Sequence, residues 1–184
     1  MIISTGAAVR FNVLSDVLSL FFIKYAILEK VLFQDLQSYK ESIPLMKNWE
    51  VTAFVNCPLR VYPFFKEIKN RYISENNKTS LKYTGGEWVG LACNSIHYLD
   101  LLSFLSDEKL HSITAENLDD GFINSKRPGN VEFTGAIYAS YESGAHLSIE
   151  AIRGSEQDSI IEVKNGHYKI LIDDEVVHTG RSDT

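Results

Sequence analysis

The run Cys93-Asn94-Ser95-Ile96-His97-Tyr98-Leu99-Asp100 holds the densest set of side chains able to do chemistry. On a helix, Cys93, Asn94, His97 and Asp100 recur at three- and four-residue spacings and share one face. That face would carry an imidazole of near-neutral pKa among polar neighbours, able to pass a proton to or from a substrate oxygen. The same pattern suits a helix whose polar face caps neighbouring loops, and spacing alone does not separate the two. Cys57 and Cys93 could act as nucleophiles, Cys93 with His97 as a hydrolase pair, yet no orienting group is evident and each reads first as a small buried hydrophobe. A second candidate is Glu29-Lys30, which closes the apolar run Tyr25-Ala26-Ile27-Leu28. At the carboxyl end of a parallel strand, where α/β sheets bind ligands, a lysine can lower the pKa of a substrate hydroxyl or hold a carbonyl oxygen. A solvated ion pair is the plainer alternative. No CxxC and no Cys/His spacing closes a tetrahedral site, and His111, His146, His167 and His178 are scattered, so no metal is expected.

These candidates need elements to hold them. Met1 to Ser4 reads as a short buried strand that runs into the small residues Ser4 to Ala8, a tight turn into a helix. Phe11, Leu14, Val17, Leu18 and Phe21 then recur at helical spacing, and Tyr25 to Leu28 is a second strand. A strand–helix–strand unit of this length implies parallel pairing. Leu36 to Lys47, with Pro44 near its end, predicts a helix, Val51 to Val55 a strand, and Asn56-Cys57-Pro58 a loop. Tyr62-Pro63 opens an amphipathic helix with Phe64, Phe65, Ile68 and Tyr72 on one side. Leu81 to Tyr83 is a short strand before Gly85-Gly86, and Leu91 to Leu105 a helix. Beyond Leu110 the period becomes two. Residues 131–141 and 145–151 predict a hairpin around Glu142-Ser143-Gly144, and 159–163 with 168–172 a second around Asn165-Gly166. Asp173-Asp174 suggests a third turn.

The fold class is therefore α+β: a predominantly antiparallel sheet covered by helices on one face, preceded by a partial β-α-β segment of Rossmann type. A chain of 184 residues, 45% hydrophobic and 23% charged, can bury one sizeable core and a smaller second one. Its 18 basic and 24 acidic side chains give a formal charge of -6, which repels a phosphate backbone and argues against nucleic acid. No stretch approaches the ~20 apolar residues needed to cross a bilayer. The apolar patch Val17 to Ile23 is interrupted upstream by Arg10 and Asp16 and lacks the flanks of a signal peptide. Two cysteines do not make a disulfide framework. A reducing, cytoplasmic setting is expected, and Asn77-Lys78-Thr79 is then a chance glycosylation match.

Taken in order, Lys24 to Leu32, then Val55-Asn56-Cys57-Pro58-Leu59-Arg60-Val61-Tyr62-Pro63, then Gly85-Gly86-Glu87-Trp88 leading into Asn94 to Leu102, resemble the Gfo/Idh/MocA oxidoreductase family. The resemblance continues through Tyr141 to Ala151, similar to the strand–turn–strand hairpin of that family's C-terminal domain, and so covers nearly the whole chain. It implies an NAD(P)-dependent dehydrogenase or reductase acting on a sugar, cyclitol or nucleotide sugar, with residues 1–50 a partial nucleotide-binding segment and 51–184 a substrate-binding and dimerisation domain. Lys30 would match the lysine of the family's Glu-Lys-Pro motif, touching nicotinamide and substrate hydroxyl beside Glu29. His97 would match the general acid/base, Asp100 would orient it, and Arg60 and Asn94 would meet sugar hydroxyls. A homo-oligomer through the open sheet face is expected. Three departures stand out: Val31 replaces the motif's proline, Cys93 stands where many members carry aspartate, and no GxGxxG occurs in the sequence. The expectation is thus a chain lacking the N-terminal part of the Rossmann domain and inactive or weakly active alone. The alternative is a non-catalytic sugar-binding or dimerisation module derived from the family.

Overall fold

Alternation on short strands and a helical stripe shape the first part of the chain. Ile3, Ala26 and Leu28 point to one side of strands β1 (Ile2–Ile3) and β2 (Tyr25–Leu28), and Leu14 and Leu18 of helix α1 (Ala7–Leu20) are fully buried with them. Helix α2 (Leu36–Asn48) begins at Asp35, whose carboxylate accepts from Ser38 N at 2.8 Å, a side-chain cap of the usual kind. Pro44 lies inside α2. Strand β3 (Thr52–Val55) pairs parallel with β2, which in turn pairs parallel with β1. The computed structural model describes residues 1–74, 77–126, 128–173 and 176–181, and they form two compact units that divide between Cys57 and Pro58. The sequence places that division after residue 50. By backbone pairing, β3 belongs to the first sheet, because its hydrogen bonds go to β2.

In the second unit, a 3-10 turn (Pro58–Val61) leads to helix α3 (Pro63–Tyr72), with Pro63 at its first position, where a missing N–H costs nothing. Helix α4 (Leu91–Ser106) lies against a seven-stranded sheet of order β12-β11-β10-β4-β9-β8-β5. Its strands are β4 (Thr79–Gly86), β5 (Leu110–Leu118), β8 (Gly135–Tyr141), β9 (His146–Ile152), β10 (Ile160–Asn165), β11 (Tyr168–Asp173) and β12 (Val176–Arg181). Every pairing is antiparallel except β4 with β9. Leu101, Leu102 and Leu105 of α4 are buried against Leu81, Leu147 and Ile149, each contributing about 1.5–3 kcal/mol of burial. This is the expected fold class: a small parallel sheet, and a large, mostly antiparallel one with helices on one face.

Three local readings change. The strand expected over 131–141 is broken. Val131–Glu132 (β7) pairs instead with Ile123–Asn124 (β6), and β8 starts at Gly135, whose φ of +101° turns the chain and where a Cβ would lie 2.4 Å from Asn117 O. Strand β4 continues through Gly85-Gly86. A Cβ on Gly86 would come within 2.2 Å of Ser155 O, so the pair permits a close backbone crossing rather than ending the strand. The second hairpin turns at Gly166-His167, because Asn165 pairs with Tyr168, and the Asn165 side chain goes inward to bond Ser74, Asn77 and Thr79. The turn expected at Asp173-Asp174 falls partly on residues outside those described.

Candidate functional site

Parallel strands send their carboxyl ends to one edge, and in the first unit that edge carries Ser4, Glu29-Lys30 and Asn56-Cys57. Asn56 Nδ2 donates to Glu29 Oε1 at 2.6 Å, so the acid beside Lys30 is oriented by a residue of the neighbouring strand end. The Lys30–Val31 peptide is cis. Arg10 of α1 is buried, and its guanidinium donates to the carbonyl oxygens of Thr5, Val31 and Leu32, the last at 2.7 Å. Burial lowers its pKa, with Glu29 acting in the opposite sense. Sequence reasoning took Arg10 as an interruption of an apolar stretch. The signal that could have found it is the stripe Arg10, Leu14, Leu18, whose spacing of four puts the arginine on the buried face.

In the second unit the start of α4 is built by distant residues. Gly90 precedes the helix at φ +76°, and a Cβ there would lie 2.8 Å from both Cys93 Sγ and Asn94 Nδ2. Glu132, buried, accepts from Ala92 N at 2.8 Å and places a carboxylate at the positive end of the helix. Asn94 Nδ2 donates to Val89 O at 2.9 Å and Ser95 Oγ to Leu91 O at 2.6 Å. One turn further on, His97 is half-buried, with its Nδ1 inside the protein. Tyr98 turns to the core and stacks on Tyr83 with ring centroids 3.9 Å apart, and burial raises its pKa. Tyr141 Oη donates to Leu99 O at 2.7 Å, pinning this stretch of α4 to the sheet.

Asp100 and Arg60 meet each other. Arg60 Nε donates to Asp100 Oδ2 at 2.6 Å and Arg60 Nη2 donates to Oδ1, a two-pronged pair with the arginine side chain 43% exposed. Both residues were expected near a substrate, Asp100 as the group orienting His97, and the carboxylate spends both oxygens on Arg60. The structure thus joins Asp100 with Arg60, ranges Cys93, Asn94 and His97 along one helix, and joins Glu29 with Asn56 beside Lys30. Asn56, Arg10 and Glu132 are the positions that sequence alone did not single out. Asn56 could have been found as the residue directly after a strand of the same parallel sheet. Among the described residues, no group of three His, Cys, Asp or Glu side chains is placed to hold a metal, and no helix is long and apolar enough to cross a membrane.

No protein-family model and no curated protein matches the sequence. Solved structures do match in fold. The WlbA dehydrogenase from Bordetella pertussis, solved in complex with NADH and UDP-GlcNAcA, aligns with TM-score 0.70 and 13% identity over 100% of this chain and 63% of its own. The MviM dehydrogenase from Clostridium difficile gives TM-score 0.63 and 16% identity over 98% of this chain and 61% of its own. A super-repressor mutant of Gal80p from Saccharomyces cerevisiae gives TM-score 0.71 and 12% identity over 100% and 61%. The chain therefore has the fold of oxidoreductases of the Gfo/Idh/MocA type and spans about three fifths of the length of these structures.

Proposed function

We propose that this chain serves an NAD(P)-dependent oxidoreductase acting on a hydroxyl or carbonyl of a sugar, cyclitol or nucleotide sugar. The observation that carries the reading is the fold shared along nearly the whole chain with solved dehydrogenases, one of them holding NADH and a nucleotide sugar. The fit to a nicotinamide cofactor is partial. Lys30 and Glu29 at the carboxyl edge of the parallel sheet suit its reactive end, whereas the sequence offers no glycine-rich loop to cradle a pyrophosphate. When bound, the cofactor takes up or gives the hydride. In this reading Lys30 donates to the substrate oxygen and stabilises its alkoxide character, and His97 takes the hydroxyl proton in oxidation and returns it in reduction. Arg60 and Asn94 contact sugar hydroxyls, and Asp100 acts through Arg60, holding its guanidinium in place. The open face of the large sheet pairs two copies, and the protein works in the cytoplasm.

The test is turnover of a panel of sugars, cyclitols and nucleotide sugars by the protein as its gene encodes it, followed through nicotinamide absorbance. His97→Ala and Lys30→Ala are each expected to cut turnover ~100-fold or more. Near-normal turnover in both removes the assignment. The 184-residue polypeptide by itself is expected to bind the four nicotinamide nucleotides weakly or not at all in calorimetric titration. A second reading, a sugar-binding or dimerisation module without redox chemistry, is favoured by the likeness to a Gal80p mutant described as a super-repressor. Saturable sugar binding with no turnover of any panel member would select it.

A further inference from the structure

We infer that Arg10 is a positioning residue that holds the loop bearing Lys30 in its working conformation. Only 2% of Arg10 is exposed, in a stripe otherwise made of leucine, so the position carries a charge where an apolar side chain would be cheaper to bury. Among the described residues, no carboxylate pairs with it at hydrogen-bond distance. Its guanidinium is instead spent on main-chain carbonyls: those of Val31 and Leu32, directly after Lys30, and that of Thr5 in the turn between β1 and α1. Nε is buried and bonds to no described group, which leaves the grip on the carbonyls as what the side chain does. A guanidinium can fork two carbonyls and reach a third; an ammonium, a compact point charge on a flexible stem, cannot reproduce that geometry. On the other side of Lys30, Glu29 is held by Asn56, and further along Phe33 is packed edge-on between Phe11 and Tyr39 at 5.8 and 5.2 Å. The backbone flanking Lys30 is thus fixed from both directions, and Arg10 supplies the hold that follows it.

The value of that hold to catalysis rests on the role proposed for Lys30; the hold itself does not. Amide hydrogen exchange of the full chain tests the structural half. Arg10→Lys, chosen because it keeps the charge and the stem, is expected to speed exchange in residues 31–33 at least ~10-fold while the amides of β2 and of α4 keep their protection. Unchanged exchange at 31–33 overturns the inference, and so does an acceleration shared equally by all of α1 and β2, which would mark a general core defect. Arg10→Gln serves as the second variant if the first fails to fold. The catalytic half is read in the protein as its gene encodes it. Arg10→Lys is expected to lower kcat about 100-fold, the scale of a misplaced reacting group, and to cause no further loss when Lys30 is already alanine. Losses that multiply in the double variant overturn the positioning role. If Lys30→Ala alone leaves turnover intact, it is the proposed function that fails, and the exchange data still decide the hold.

Discussion

Among the described residues, the three-stranded and the seven-stranded sheet each leave one face without helices, and the two faces are chemically unlike. On the three-stranded sheet, Ile2, Ile27 and Phe54 stand opposite one another in a single cross-strand row, and all three are exposed. On the seven-stranded sheet the corresponding face carries paired charges: Lys82 with Glu150 at 3.5 Å, and Glu162 with both Lys164 and Lys169 at 2.8 Å. Antiparallel sheets tolerate water on one face and alternate accordingly, whereas parallel sheets are nearly always covered on both. The large unit closes its core under α4 and carries these charge pairs on its other side, beside the exposed Tyr138 and Ile160. The small unit buries Ile3, Leu14, Leu18, Ala26, Leu28 and Phe33 on one side and displays an apolar row on the other.

Stability measurements can break or sharpen this contrast. The two tryptophans report separately, Trp49 from the first unit and Trp88 from the second. Leu102→Ala removes a fully buried side chain and is expected to cost about 2–5 kcal/mol, seen as a shift of the Trp88 urea transition with Trp49 little affected. If both transitions move together, the units are not separate in stability and the contrast loses its basis. A smaller effect concerns the charged face. Burial raises the Glu162 pKa, but the hydrogen bonds and charges of Lys164 and Lys169 outweigh it, so the group titrates below its ordinary value. Its contribution is present above the unfolded value of about 4.3 and is lost as pH falls through the folded value. The difference in unfolding free energy between the unaltered protein and Glu162→Gln, about 1 kcal/mol at most for such a surface network, is therefore expected at pH 7 and expected to shrink as pH is lowered below about 4.3. A difference that grows on acidification would reverse the sign. Least of all should stability respond to Ile27→Thr and Phe54→Thr, about 0.5 kcal/mol or less each, while dye binding by the exposed row falls. Unchanged dye binding would show that the row is not the sticky surface its exposure suggests.

Where the sequence pattern is periodic, the elements follow it closely. Helix α4 was expected over Leu91 to Leu105 and runs to Ser106, and α2 exceeds its expected end by a single residue. Both carry their signal in local spacing. What escaped depends on partners far along the chain. Glu132 at the start of α4 reads locally as a strand residue, and only the tertiary fold brings it to Ala92 N. Asn165 looks like half of a turn, and its inward role exists because Ser74 and Thr79 lie beside it. At the site, His97 and Lys30 were legible as chemistry-bearing types at suggestive places. The pairing of Asp100 with Arg60 was not, since nothing in the sequence ties position 60 to position 100.

The place of β4 in its sheet has a consequence for how the chain is made. It is the first strand of that sheet to leave the ribosome and ends as its centre, with β9 on one side and β10 on the other. Both partners are among the later strands, so β4 emerges with two unpaired edges and keeps them while α4, β5 and β8 are synthesised. Its apolar side, Leu81 and Tyr83, is exposed for the same interval unless α4 shelters it first. Long-range pairing of this kind is slow, and open edges invite association between nascent chains. In the order of synthesis, the innermost strand of the finished molecule is the one that waits longest for its neighbours.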